Sequence, residues 1–191
     1  METNTLSRVF KKLIMGYCLM KNGRICKMNV NNETIKLIEH HKLPSYNEIP
    51  NVGLYLEQTA KFINEYLEPI MDTVITGSMI SNYVKKKLVA NPVKKMYYRD
   101  HITQLIVIAV IKSVVSLDQV KMILQMEEEG ITEETYNRFS KEFDYALKKS
   151  FNLELEHVAS KHENNMETIL GDIVNLVAHK VYIDKLLASL E

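Results

Sequence analysis

Apolar residues return at steps of three and four through the middle of the chain, which is the helical period. Leu54, Leu56, Ala60, Ile63, Leu67 and Ile70 predict a helix over residues 52–71. Thr76-Gly77-Ser78 breaks that pattern and supplies a cap for a second helix over 79–88, which stops before Asn91-Pro92. Residues 93–97 read as short and extended. Asp100 opens a strongly apolar helix with Ile102, Leu105, Ile106, Ile108, Ala109 and Ile111, and Ser116 caps the next, with Leu117, Val120 and Leu124 on one face. The expected core of this centre is Leu54, Ile63, Ile80, Val84, Leu105, Ile108, Leu117 and Val120.

On the N-terminal side, Asn22-Gly23 favours a tight turn, so residues around it form either a short hairpin or an arm. Asn32 caps an expected helix over 33–41, and Leu43-Pro44 and Ile49-Pro50 bracket a linker. Beyond Gly130, Thr132 caps a helix with Tyr136, Phe139, Phe143 and Leu147 on its apolar face. Met166, Ile169, Ile173, Leu176, Ile183, Leu187 and Leu190 then recur at a period near 3.5 residues. Such a stripe serves a two-helix dimer seam or the buried face of a globular helix. The chain divides into an extension (1–42), a central domain (43–125) and a helical C-terminal region (126–191). The fold class expected is all-α.

Composition agrees: only 6 Gly and 4 Pro occur among 191 residues, and 46% are hydrophobic. The formal net charge is zero, but the charges are segregated. Ser78 to His101 carries six cations against Asp100, net +5, and Met126 to Asp144 carries seven acids against Arg138 and Lys141, net −5. A local field of one sign steers a polyanion whatever the total. Two cysteines, Cys18 and Cys26, make no disulfide framework or zinc quartet and suit a reducing compartment. The apolar stretch 13–20 is interrupted by Gly16 and followed by no small-residue cleavage site, and Leu105 to Ile111 is far too short to span a bilayer. A cytoplasmic protein with no membrane partner is expected.

The helix from Ser78 divides by face. Ile80, Tyr83, Val84 and Leu88 point inward, while Ser78, Ser81, Asn82, Lys85 and Lys86 share the opposite side. Small polar, amide and lysine side chains on one face can reach base edges and phosphates in a major groove. Lys94, Lys95 and Arg99 follow a proline turn, where a wing would touch the backbone of the duplex. The plainer alternative for Lys85-Lys86-Lys87 is a solvated face.

The string from Met79 to Leu88 resembles the recognition helix of MerR-type regulators, and Lys95-Met96-Tyr97 resembles the end of their wing. Ile49 to Gln58, Ser78 to Lys85 and Pro92 to Tyr97 are together similar, over about 80 residues, to a bacterial domain-of-unknown-function family that is itself MerR-like. The resemblance implies a winged helix-turn-helix that reads promoter DNA, usually as a dimer. It differs in having Ser81 where an arginine is usual, Lys87 in place of a glycine, extra residues at 72–76, and a segment from Leu88 to Tyr97 short for a full wing.

Catalysis is not expected. Glu154 and His157 form one Glu-x-x-His, whereas a di-iron bundle needs a second copy and two more glutamates. Cys18, Cys26, His40 and His41 lack zinc spacing, and no phosphate-binding glycine loop or nucleophile elbow occurs. The expectation is a non-enzymatic regulator of double-stranded DNA, without metal or cofactor, dimerising through its C-terminal helices. The rival is a protein-interaction adaptor on a vestigial helix-turn-helix.

Overall fold

A computed structural model describes residues 17–19, 25–27, 30–72, 74–153 and 164–189. Strands β1 (Tyr17–Leu19) and β2 (Ile25–Lys27) pair antiparallel with Leu19 opposite Ile25. The Asn22-Gly23 turn expected between them lies outside the described residues, as do Glu154 and His157. Helix α1 (Asn32–His40) begins one residue before the expected start, because Asn31 is the cap: its side chain accepts the Thr34 N–H at 2.7 Å.

Residues 43–50 are not a free linker. Leu43 and Ile49 are fully buried, and a 3₁₀ turn (Tyr46–Glu48) follows Pro44. The Asp144 carboxylate accepts the Leu43 N–H (3.1 Å), Asn137 accepts the Tyr46 N–H (2.9 Å), and the Tyr136 hydroxyl donates to Pro44 O (2.9 Å). The prolines shape this strap, and its hydrogen bonds to a distant helix hold it down.

Next come β3 (Leu54–Tyr55), α2 (Leu56–Leu67), α3 (Gly77–Lys85), β4 (Met96–Tyr97), α4 (Arg99–Ile111), α5 (Leu117–Leu124), α6 (Glu133–Ser150) and α7 (Asn165–Ala188). The fold is all-α, with seven helices and two small two-stranded sheets among the described residues. The expected helix over 52–71 is shorter because Leu54 and Tyr55 pair with Tyr97 and Met96, a contact that local periodicity does not contain. Thr76, Ser116 and Thr132 all cap as expected, and Ser116 with Gln119 completes a capping box.

Helix α4 lies at the centre. Ile102, Leu105, Ile106, Val107, Ile108, Val110 and Ile111 are inaccessible to solvent, so the helix is apolar nearly all round. It is covered by α2, β4, α6 and α7. Of the eight expected core positions, Ile63, Ile80, Leu105, Ile108 and Val120 are buried, and Leu54, Val84 and Leu117 pack partly buried against them.

Helix α7 splits its apolar stripe. Met166, Leu170, Ile173, Val174, Val177 and Val181 are buried, with α7 packed chiefly along α6, where Arg138 and the buried Glu167 form an ion pair. Leu176, Ile183 and Leu187 face outward, 60%, 51% and 54% exposed.

Candidate nucleic-acid interface

Helix α3 is placed by its two ends. At its start, Thr76 Oγ1 accepts the Met79 N–H (3.3 Å), and a Cβ on Gly77 would press within 3.2 Å of the Leu56 side chain. The absence of a side chain therefore lets α3 cross close over α2. The nine residues between α2 and α3 are longer than the turn of a typical helix-turn-helix. The end of this connection is fixed at Ile75, because Asn64 accepts the Ile75 N–H (2.8 Å) and donates to Ile75 O (2.9 Å).

At its other end α3 closes as a Schellman motif. The Lys87 N–H reaches Val84 O and the Leu88 N–H reaches Tyr83 O, each at 2.9 Å. Lys87 has φ 58°, the left-handed conformation that this position usually assigns to glycine. Ile80, Tyr83 and Leu88 are buried and Val84 is half-buried. Ser78, Ser81, Asn82, Lys85 and Lys86 are all exposed. The division into faces is the expected one.

The segment after Pro92 is a minimal hairpin. Val93 and Met96 exchange two backbone hydrogen bonds, both 3.0 Å, across a two-residue loop of Lys94 and Lys95. Their φ angles are 52° and 65°, the pair of positive values that a type I′ turn demands. Asn-Gly is the preferred filling of such a turn, and two lysines there are strained by roughly 1–2 kcal/mol each. Both are exposed at the tip. The segment from Leu88 to Tyr97, short by sequence, thus contains a closed two-residue hairpin.

Met96 also pairs with Tyr55 on its other side, so Tyr55, Met96 and Val93 form a row across a miniature sheet. Tyr55 is 58% and Val93 53% exposed. Gly53 lies against this row, and a Cβ there would sit 2.7 Å from Met96 Cβ. Sequence reading missed Tyr55 and Val93 as surface residues, because only the long-range pairing aligns them beside the two lysines.

Arg99 is turned the other way. Its Nε donates to Ile49 O (2.8 Å), its terminal nitrogens lie 3.4 Å from Asn47, and the guanidinium stacks over the Tyr46 ring at 5.1 Å. It ties the strap 43–50 to α4, so it stands apart from the seven other residues expected to touch DNA. Asp100 on α4 holds the phenol of Tyr46, in the same strap, above its ordinary pKa, chiefly by accepting its hydrogen bond.

The geometry defines a helical protein presenting one exposed polar and basic helix face beside a lysine-tipped hairpin. The chain belongs to the family described as domain of unknown function DUF1836, which matches residues 44–146. That span runs from the strap through the lysine-tipped hairpin and into α6. No curated protein and no solved structure matches the chain.

Among the described residues, no helix is long and apolar enough to cross a membrane.

Proposed function

We propose that this protein is a sequence-specific regulator of double-stranded DNA, with the MerR-like winged helix-turn-helix arrangement over residues 43–125. Helix α3 enters the major groove, presenting Ser78, Ser81, Asn82, Lys85 and Lys86, while Lys94 and Lys95 on the short wing contact the duplex backbone. It acts without catalysis, in the cytoplasm.

The observation that carries this reading is the backbone strain. Lys87, Lys94 and Lys95 are three of the four non-glycine residues with positive φ among the described residues. Lysine has no steric advantage at any of them, so its presence supports a use for the charge. Together with Lys85 and Lys86 they concentrate five cations on the C-terminal end and cap of α3 and on the adjoining wing.

The test is a mobility shift with duplex DNA on the variant carrying Lys85→Glu and Lys86→Glu. Binding should be lost while circular dichroism barely changes, since exposed substitutions generally alter stability by about 0.5 kcal/mol or less. Reversing Lys148 and Lys149, on α6, is the control. Equal loss in the control, or no duplex binding by the wild type at low salt, would sink the proposal.

The adaptor reading retains one supporting observation, the exposed apolar side chains of Tyr55 and Val93 on either side of the half-buried Met96, which suit a protein partner as well as a groove edge. For the assembled state we propose a homodimer through the outward face of α7, with Leu176, Ile183 and Leu187 as its contact residues.

A further inference from the structure

Beneath α3, on the side away from the lysines, lies a partly enclosed cavity of about 100 Å³. Its walls are Leu67 and Met71 from the end of α2, Ile75 from the connection, Met79 from α3 and Ala109 from α4. Three polar residues complete the lining: Tyr83, Lys112 and Ser113. The Tyr83 side chain is buried, 1% exposed, and its hydroxyl has no hydrogen-bond partner among the described residues. Lys112, half-buried, has no carboxylate within ion-pairing distance among them. Ser113 Oγ donates to Val110 O (2.8 Å) and keeps lone pairs free to accept.

Burying a phenol without a partner is costly, and native structures seldom leave such a group unpaired without a use for it. A single water does not suit this space. The cavity is several times the roughly 30 Å³ share of one water, and most of its wall offers no hydrogen bond. An apolar cavity of about 150 Å³ takes the six carbons of benzene, so this partly open one encloses about four non-hydrogen atoms and admits one or two more at its mouth.

We infer that this cavity is a binding site for a small carboxylic acid with a short branched apolar tail. The tail lies against Leu67, Met71, Ile75, Met79 and Ala109. The carboxylate accepts a hydrogen bond from Tyr83 and pairs with the Lys112 ammonium. Lys112 also outweighs the nearby C-terminal end of α4, which carries roughly half a negative charge. The site bridges α2, α3 and α4 from within and stands whether or not the outer face of α3 meets DNA.

Isobutyrate, with isobutyramide as its neutral counterpart, is the probe pair. The full chain should show a saturable rise in unfolding temperature with millimolar isobutyrate at fixed ionic strength, and a saturation-transfer signal by ligand-observed NMR. Isobutyramide should bind about tenfold more weakly, since it forfeits the charge-assisted contact. Ala109→Leu, which fills the space, and Lys112→Met should each remove the response while keeping the helical circular dichroism. Tyr83→Phe should weaken binding several-fold. The absence of a saturable isobutyrate signal means a cavity holding solvent only and overturns the inference. Equal binding of the amide, or a response that survives both Ala109→Leu and Lys112→Met, overturns it as well. If Ala109→Leu fails to fold, Lys112→Met and the amide comparison still decide.

Discussion

Asn64 and Ile75 exchange a reciprocal pair of hydrogen bonds, the side-chain amide of one acting as donor and acceptor to the backbone of the other. The pair joins α2 to the residue just before the cap of α3, so the direction of the candidate recognition helix depends on it.

Asn64→Ala should therefore cost about 2 kcal/mol, because it strands both backbone groups of Ile75, a residue 3% exposed. Urea unfolding of the variant measures this. A loss under about 0.5 kcal/mol would mean that the connection is held by packing alone.

The strained lysines set stability against binding. At Lys87, left-handed strain of roughly 1–2 kcal/mol exceeds the roughly 0.5–1 kcal/mol that glycine forfeits in chain entropy. Lys87→Gly should thus stabilise the fold by up to about 1 kcal/mol. The double change Lys94→Asn with Lys95→Gly should do the same for the wing. The wing variant should also bind duplex DNA more weakly, the slope of log K against log salt falling by about 0.9 for each phosphate that is no longer neutralised. A gain in stability with no loss of affinity would remove the wing from the interface.

The outward residues of α7 lead to a third expectation. Leu176→Glu with Ile183→Glu should shift sedimentation from dimer to monomer and leave the fold intact, since both side chains are more than half exposed. A monomeric wild type at micromolar concentration would show that this face has no self-partner.

Alkali should destabilise the protein. Burial pushes the phenols of Tyr136, Tyr83, Tyr66 and Tyr97 above their ordinary value, most strongly Tyr136, and hydrogen bonding to Asp100 does so for Tyr46. With folded values raised, the unfolded chain loses these protons first. Stability is whole below pH ~10 and declines above it, by up to about 1.4 kcal/mol per pH unit for each strongly shifted phenol. Chemical denaturation between neutrality and pH ~11 tests this, and Tyr136→Phe should flatten the decline. It also removes the hydrogen bond to Pro44 O, so the flattening is to be read from the slope and not from the absolute stability.

How much of this was legible beforehand follows from the range of each interaction. Caps at Thr76, Ser116 and Thr132 depend on residues three apart, and the two faces of α3 on the 3.6-residue repeat, so both were readable locally. The helical class and the exposed set Ser78, Ser81, Asn82, Lys85 and Lys86 followed from that alone. Tertiary structure decided the rest. Asp144, Asn137 and Tyr136 turn the segment 43–50 from linker into strap, and Ile49 and Asn47 draw Arg99 away from the lysines. Tyr55 meets Met96 across forty intervening positions, which aligns the lysine-tipped hairpin, and the packing of α6 on α7 determines which half of the α7 stripe remains exposed. A local repeat tells a helix which residues to hide. What they are hidden against depends on partners far along the chain, and the repeat carries no information about those.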